Sequence, residues 1–118
     1  MINGNFKKTH DFAKRKQVAQ RIVQKYPDRV PVIVESSKSS NPTIDKAKFL
    51  VPMDITVGKF ICEIRKHIRE INPQHAIFLF MNGVLPPTAA LMSQMYEKHK
   101  DLDGFLYFVY ALENSFGN

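Results

Sequence analysis

One strongly periodic helical segment lies between two groups of strand-length apolar runs, and this order constrains the fold more than any other feature. The apolar side chains of the segment repeat at helical spacing; they are Val57, Phe60, Ile61, Ile64 and Ile68. Thr56 is a suitable N-cap for this helix, and Asn72-Pro73 is expected to end it. The flanking runs are too short for helices and are bounded by turn-forming residues, so they predict β-strands.

Two strands are predicted before the helix and three after it, one of them short. Residues 30–34 and 48–52 are expected to pair antiparallel, with a free edge at Pro31 because proline donates no hydrogen bond to a ladder. Residues 76–81 form a continuous apolar run that predicts a central strand. The turn signal Asn82-Gly83 predicts a hairpin to a short strand at Val84-Leu85. Residues 105–111 predict the final strand.

Two further helices are expected. Asp11 is a suitable N-cap for an N-terminal helix that Pro27 would end. The apolar stripe of that helix consists of Val18, Ala19, Ile22, Val23 and Tyr26. Phe6 and Phe12 are expected to anchor a turn or short helix before it. Thr88 is predicted to cap a short helix that contains Leu91, Met95 and Tyr96.

The order of these elements predicts an α+β domain with one open sheet. Two hairpins that flank one helix correspond to the β-grasp arrangement, here with an additional N-terminal helix. The length of 118 residues allows a single core. Residues 1–10 lack the apolar core of a signal peptide, and a single cysteine allows no intrachain disulfide, so a reducing cytosolic or nuclear compartment is expected.

The basic charge is concentrated in the first thirty residues. Residues 1–30 contain eight lysines and arginines against two aspartates, whereas residues 31–118 contain nine residues of each sign. The formal net charge of +6 therefore lies in the N-terminal segment. Such a segment suits an anionic membrane surface, an acidic protein or nucleic acid, and it is equally compatible with a solvated helix face.

No pattern in the sequence points to catalysis. The four histidines have no metal-ligand spacing, and the motifs of phosphate loops, dinucleotide sites and nucleophile elbows are absent. Cys62 lies in the predicted central helix and is interpreted as a small core residue. Residues 103–110 have a weak likeness to an aromatic RNA-binding strand, but Asp103, Leu106 and Phe108 break that pattern. Burial explains the aromatic residues better, and no nucleic-acid partner is expected.

Two features exceed what a packed domain requires. The first is an apolar set at the predicted sheet edge, which consists of Pro31, Phe49, Leu50, Val51, Pro52 and Ile55. Such an edge can take up an extended peptide as an added strand, and Lys46 and Lys48 beside it would favour acidic peptides. The second is a polar tail with glycine next to last, whose open carboxylate could enter an adenylating or thioester-forming site. An ordinary amphipathic strand and a chance glycine are the simpler alternatives.

The order of several segments resembles one known family. They are KYPDRVPVIVE at residues 25–35, DKAKFLVP at 45–52, TVG at 56–58, IRK at 64–66, FLY at 105–107 and FG at 116–117. From about residue 12 to residue 117 the chain resembles the ubiquitin-like autophagy modifiers, which include GABARAP and microtubule-associated protein light chain 3. The resemblance implies a ubiquitin-like β-grasp, a four-stranded mixed sheet on a central helix, with additional N-terminal helices. It divides the chain into a basic helical segment (1–27) packed on the core, the core (28–112) and a flexible tail (113–118).

The resemblance implies a modifier without catalytic activity, metal or cofactor. A cysteine protease would remove Asn118, and adenylating and conjugating enzymes would pass the Gly117 carboxyl through thioesters to phosphatidylethanolamine. This lipid brings two acyl chains, which stable anchoring requires. The expected location is the cytoplasm, and the autophagosome membrane after lipidation. The alternative is a non-lipidated adaptor of the same fold that binds trafficking proteins or tubulin.

The resemblance also implies that the apolar edge binds aromatic-x-x-aliphatic motifs of autophagy receptors. The residues matching the aromatic pocket are Ile22, Pro31, Lys48, Leu50 and Phe105. Those matching the aliphatic pocket are Phe49, Val51, Pro52, Ile55, Phe60 and Glu63. Arg29 and Lys46 match the basic rim. Relatives carry an aliphatic residue where this chain has Glu63, and GABARAP-like members carry an acidic residue where it has Val18. The Glu63 carboxylate is expected to shrink or polarise its pocket.

Overall fold

The computed structural model describes residues 5–38 and 43–112, which contain four helices and four strands. The helices are α1 (Asn5–Thr9), α2 (Phe12–Lys25), α3 (Val57–Arg65) and α4 (Met92–His99). The strands are β1 (Arg29–Ser36), β2 (Lys48–Pro52), β3 (Ile77–Phe80) and β4 (Leu106–Leu112). The strands form one mixed sheet in the order β2-β1-β4-β3. The predicted four-stranded mixed sheet with N-terminal helices is confirmed.

The pairing of the strands confirms one prediction and corrects two others. β1 and β2 are antiparallel as predicted, with Val32 opposite Phe49. β1 also pairs in parallel with β4, so β1 is an interior strand and the predicted free edge at Pro31 is wrong. β3 pairs only with β4 and lies at the opposite edge of the sheet, so the prediction of a central strand at residues 76–81 is wrong.

Proline is tolerated in the interior strand because of the side to which its nitrogen points. The Val34 N–H donates to the Ala47 carbonyl in the β2 direction. Because backbone N–H groups alternate along a strand, the Pro31 nitrogen faces β4 instead. The parallel ladder with β4 begins only at Val32 opposite Leu106. Pro31 therefore removes no bond from either ladder.

The hairpin predicted after β3 is reduced to a tight turn. Asn82 and Gly83 have φ values of 52° and 79°, the left-handed conformation that such a turn requires. Met81 and Val84 exchange both backbone hydrogen bonds across the turn, at 2.8 and 3.0 Å. The return strand consists of this single bridge, so the turn is confirmed and the strand at Val84-Leu85 is wrong.

Helix α3 packs the main core against one face of the sheet. The Thr56 side chain accepts a hydrogen bond from the Lys59 N–H and caps the helix as predicted. The fully buried residues of the main core are Val32, Val34, Phe60, Ile64, Leu79, Leu106, Phe108 and Tyr110, among others. The phenyl rings of Phe49 and Phe60 meet edge to face, with their centroids 5.5 Å apart.

The helix ends earlier than Asn72-Pro73. After Arg65 three successive N–H groups, from Lys66 to Ile68, donate to carbonyls three residues back, which tightens the last turn. Ile68 then forms an isolated bridge with Ile44, and the chain leaves the helical path. Ile68 is buried in the main core, as its place in the apolar stripe predicted, although it lies beyond the end of the helix.

Helix α2 packs on the other face of the sheet. Asp11 caps it as predicted by accepting a hydrogen bond from the Lys14 N–H. A second, smaller core joins the buried residues Ala19, Ile22, Ile33 and Phe105. The buried stripe is narrower than predicted, because Val18 is half-buried and Val23 and Tyr26 are exposed.

The short helix α1 fixes the start of the described chain on this second core. The Phe6 ring packs edge to face on Phe105, with centroids 5.1 Å apart, which agrees with its predicted anchoring role. Phe12 is exposed instead, so its predicted anchoring role is wrong. The Phe6 N–H also donates to the Glu35 carboxylate at 3.0 Å, which ties α1 to β1.

The N-cap of helix α4 is Leu91, three residues later than the predicted cap Thr88. The Leu91 N–H donates to the Gln94 side chain at 3.0 Å, and the helix starts at Met92. The Thr88 carbonyl accepts a hydrogen bond from Gly58 in α3. Thr88 therefore connects the loop before α4 to α3 and does not cap α4.

Candidate peptide-binding groove

The outer edge of β2 offers a short row of backbone groups that no other described strand pairs with. Phe49 and Val51 direct their backbone toward β1, so Lys48 and Leu50 direct theirs outward. Pro52 has no N–H, and its carbonyl accepts a hydrogen bond from Ile55. Among the described residues no strand pairs with this edge. An added strand could therefore pair with the N–H and carbonyl groups of Lys48 and Leu50, of which the Leu50 carbonyl already accepts a hydrogen bond from Arg29 Nη1 at 3.0 Å.

An apolar groove of about 330 Å³ lies beside this edge. It is lined by Arg29, Lys46, Phe49, Leu50, Val51, Pro52, Ile55, Lys59, Phe60, Glu63 and His67. These include all six residues predicted for the aliphatic pocket and both residues predicted for the basic rim. Phe49, Val51 and Phe60 are buried, so they form a fixed apolar floor, while Ile55 and Pro52 are half-buried. The groove can accept an aliphatic side chain of a bound strand.

Sequence reasoning missed two residues of the groove, Lys59 and His67. They lie four positions before and after Glu63, which is the spacing of neighbours along one helix face. For Lys59, which lies in α3, this spacing from Glu63 could have predicted a place in the groove. His67 lies beyond the end of α3, so helical spacing does not predict its position. His67 Nδ1 is 2.9 Å from an Asp45 carboxylate oxygen, and its ring meets Phe49 edge to face.

The charges around the groove are mainly positive. Lys46 Nζ lies 4.9 Å from the centre of the Phe49 ring, which is within range of a cation–π contact. Glu63 is half-buried in the groove wall, and its carboxylate forms an ion pair with Lys66 at 3.2 Å. The Glu63 carboxylate therefore has a partner within the protein. A ligand in the groove would meet this one acidic side chain and three basic ones, Arg29, Lys46 and Lys59.

The residues predicted for the aromatic pocket lie close together but are mostly covered. Ile22, Phe105 and Leu50 belong to the second core, and Pro31 lies opposite Leu50 in the sheet. Phe105 is fully buried and Pro31 is buried, whereas Lys48 is exposed. An aromatic ligand side chain can reach Phe105 only if its neighbours move. Gly117 and Asn118, the predicted attachment and cleavage residues, lie outside the described residues.

A buried carboxylate that the sequence did not reveal holds α2 beside these residues. Asp103 is fully buried and accepts hydrogen bonds from Arg15 Nε at 2.9 Å, the Tyr107 hydroxyl at 2.5 Å and the Phe105 N–H at 2.8 Å. Burial and the hydrogen bond to Asp103 raise the pKa of Tyr107, so its hydroxyl remains a donor. The network joins α2 to the start of β4 and thereby positions Ile22 against Phe105.

A second, more exposed ion pair holds α1. Lys7 Nζ donates to the Asp101 carboxylate at 2.8 Å and also lies over the Tyr107 ring. Burial opposes ionisation of Asp101, but the hydrogen bond and the charge of Lys7 outweigh it and lower the pKa of Asp101. The N-terminal helices are thus attached to the sheet by polar contacts as well as by apolar ones.

The remaining candidates for chemistry are dispersed. Cys62 is exposed, so its interpretation as a core residue is wrong. It is two residues from both Phe60 and Ile64, and a helix turns about 100° per residue, which places it opposite their buried face. No cluster of three or more His, Cys, Asp or Glu side chains among residues 5–38 and 43–112 could hold a metal ion. None of the helices in those ranges is both long and apolar enough to cross a bilayer.

The sheet, its helices and the open edge together define the class of the protein as ubiquitin-like. Residues 14–117 match the family described as "Autophagy protein Atg8 ubiquitin like". Autophagy-related protein 8 of Dictyostelium discoideum is 57% identical over 115 residues, which cover 97% of this chain and 94% of that protein. The chain belongs to the Atg8 family of ubiquitin-like autophagy proteins, and the resemblance found in the sequence is confirmed.

Two solved structures are similar in fold and in sequence. Trypanosoma brucei ATG8 superposes with a TM-score of 0.88 at 37% identity, over 95% of this chain and 97% of that chain. Plasmodium falciparum Atg8, solved in complex with a Plasmodium falciparum Atg3 peptide, superposes with a TM-score of 0.83 at 36% identity. That match covers 92% of this chain and 96% of the Plasmodium chain. Both matches confirm the predicted ubiquitin-like fold.

Proposed function

We propose that this chain is an autophagy modifier that is attached to membranes through Gly117 and recruits partners through the edge of β2. The observation that carries the proposal is the strand edge at Lys48 and Leu50, which no described strand covers, beside an apolar groove. Main-chain hydrogen bonds would hold a peptide strand, and the groove would select its aliphatic side chain. The surplus of positive charge at the rim favours peptides that carry acidic residues.

The proposed partners bind at the edge of β2, act on the C-terminal residues or contact the basic N-terminal segment. Autophagy receptors with aromatic-x-x-aliphatic motifs would bind the edge, and the Atg3 peptide bound to the Plasmodium relative supports the conjugating enzyme as another ligand. A cysteine protease would remove Asn118, and an adenylating enzyme would activate Gly117. The basic segment at residues 1–30 is a candidate contact for tubulin or for an anionic membrane surface.

Membrane attachment would be covalent. An amide between the Gly117 carboxyl and phosphatidylethanolamine supplies two acyl chains, and two chains give stable anchoring where one gives only marginal binding. The protein would be cytoplasmic before this reaction and bound to the autophagosome membrane after it. Membership of the Atg8 family and the position of Gly117 support this step.

The lipidation step is tested by the intact mass of the protein from starved cells, measured separately in membrane and soluble fractions. We expect a membrane form that lacks Asn118 and carries phosphatidylethanolamine. The variant Gly117→Ala should remain soluble, whereas the control Ser115→Ala should behave as the wild type. A wild-type protein that stays unprocessed and soluble would contradict lipidation and favour the non-lipidated adaptor.

The docking step is tested by calorimetric titration with a short acidic peptide that carries an aromatic-x-x-aliphatic motif. Leu50 is half-buried at the edge, and Leu50→Ala should weaken binding about tenfold or more because apolar contact is lost. Val84 is 66% exposed in the turn after β3, and Val84→Ala should leave binding unchanged. Equal effects of the two substitutions would place the peptide elsewhere.

A further inference from the structure

The outer edge of β2 is partly covered by a side chain of the same protein. Arg29 lies at the start of β1 opposite Pro52, and its Nη1 donates a hydrogen bond to the Leu50 carbonyl at 3.0 Å. That carbonyl is one of the two acceptors that the edge offers to an added strand. In the free protein Arg29 therefore occupies a position that a bound peptide backbone would need.

Charged side chains at exposed sheet edges protect them from unwanted pairing. Here the protection is specific, because the guanidinium blocks an acceptor and also carries the charge that an incoming ligand would meet. A neutral strand whose N–H takes the position of the guanidinium at the Leu50 carbonyl displaces Arg29 and offers it no charged partner in return. A strand with a carboxylate next to Leu50 offers the displaced guanidinium a charge-assisted and even bidentate bond.

We propose that Arg29 is a specificity-determining residue that closes the β2 edge and opens it for peptides with a carboxylate beside Leu50. This proposal rests on peptide docking at β2 as the function of the groove. The ligand class is an extended acidic peptide: its carboxylate replaces the Leu50 carbonyl as the acceptor of the Arg29 hydrogen bond, and its backbone N–H replaces Arg29 as the donor to that carbonyl. The acidic residue is thus selected by an exchange of hydrogen bonds and not by charge attraction alone.

The other cations at the rim provide a natural comparison. Lys46 also lines the groove, but its Nζ lies over the Phe49 ring. Within the described chain Lys46 donates no hydrogen bond to the β2 backbone. Attraction of an acidic peptide should depend on both Arg29 and Lys46, whereas exclusion of a neutral peptide should depend on Arg29 alone.

The test uses the full chain and two peptides of equal length that share an aromatic-x-x-aliphatic motif. One carries a glutamate predicted to lie beside Leu50, and the other carries glutamine at that position. Dissociation constants are measured by calorimetry for the wild type, Arg29→Ala, Arg29→Lys and Lys46→Ala. Arg29 is exposed, so its substitution should leave the fold intact, and thermal unfolding verifies this for each variant.

We expect Arg29→Ala to bind the glutamine peptide about two- to tenfold more tightly than the wild type, which corresponds to one ordinary hydrogen bond. The same variant should bind the glutamate peptide more weakly, so its preference for the acidic peptide collapses. Arg29→Lys should keep part of the attraction to glutamate but lose the exclusion of glutamine. Lys46→Ala should weaken binding of the glutamate peptide and leave binding of the glutamine peptide unchanged.

Three results would overturn the proposal, and they separate it from the proposed docking. If Arg29→Ala weakens binding of both peptides equally, Arg29 is an ordinary contact residue and the proposed docking at β2 is still supported. If Arg29→Ala leaves the affinity for the glutamine peptide unchanged, the edge is not closed in the free protein. If the wild type binds neither peptide, docking at β2 itself fails, and the role of Arg29 fails with it.

Discussion

Replacing Asp103, the one buried polar residue among residues 5–38 and 43–112, with asparagine is expected to destabilise the protein strongly. The two carboxylate oxygens of Asp103 accept three hydrogen bonds: one takes the Phe105 N–H, and the other takes both Arg15 Nε and the Tyr107 hydroxyl. Asparagine has almost the same shape but presents a donor in place of one oxygen. Whichever way the amide is turned, at least one of the three donors loses its acceptor.

The size of the effect follows from burial. Asp103 is fully buried, and the Arg15 side chain is only 11% exposed. A buried donor without a partner costs about 1–3 kcal/mol, and a broken buried ion pair costs about 3–5 kcal/mol. We expect Asp103→Asn to lower the free energy of unfolding by about 3–5 kcal/mol. Whole-domain stabilities are about 5–15 kcal/mol, so the variant should remain folded but be marginal.

Urea denaturation followed by circular dichroism measures this change. With an m-value of about 1.5–2 kcal/mol/M, the unfolding midpoint should fall by about 2 M. Asp101→Asn is the matched control, because Asp101 pairs with the more exposed Lys7 and should cost at most about 1 kcal/mol. Hydrogen exchange should increase first in α2, which the network attaches to β4. Equal midpoints for the two variants would refute the assignment of a stabilising role to the Asp103 network.

Three further predictions concern the same region and α3. Gly104 has a φ of +93°, and a Cβ there would lie 3.0 Å from the Ala19 Cβ, so Gly104→Ala should cost about 1–2 kcal/mol and lower the melting temperature by several degrees in calorimetry. Because Lys7 lowers the pKa of Asp101, this pair stabilises α1 above about pH 4 and loses that contribution as pH falls through the folded-state pKa; amide exchange in α1 during acid titration checks this. Cys62 is exposed and should react completely with a thiol reagent without denaturant, whereas slow reaction would indicate burial.

Local features of the sequence predicted the positions where elements begin and turn. Asp11 and Thr56 cap their helices because a short acceptor precedes an apolar periodic segment, and each side chain binds the N–H three residues on. Asn82 and Gly83 form the predicted turn because both tolerate positive φ. The aliphatic groove set came from the family resemblance, and the structure places all six of its members around one groove.

Features that depend on distant partners were not predictable in the same way. The apolar run at residues 76–81 does not reveal whether its strand is central or at an edge, because half-buried side chains on the second face are also apolar. The early end of α3 depends on the bridge between Ile44 and Ile68. The Asp103 network depends on Arg15, which is 88 residues away in sequence. No local pattern carries information of this kind.

The parallel pairing of β1 and β4 also determines that the end of β4 and the start of β1 lie at opposite ends of the sheet. Leu112 at the end of β4 lies beside Ile77, at the end of the sheet where β1 finishes. Arg29, where β1 starts, lies at the opposite pole, because eight residues of strand span about 26 Å. If the protein is tethered as proposed, through the residues after Leu112, the Arg29 end of its peptide edge would lie at the end of the sheet farther from the tether. The length of the sheet would then separate the Arg29 end of the peptide edge from the point of attachment.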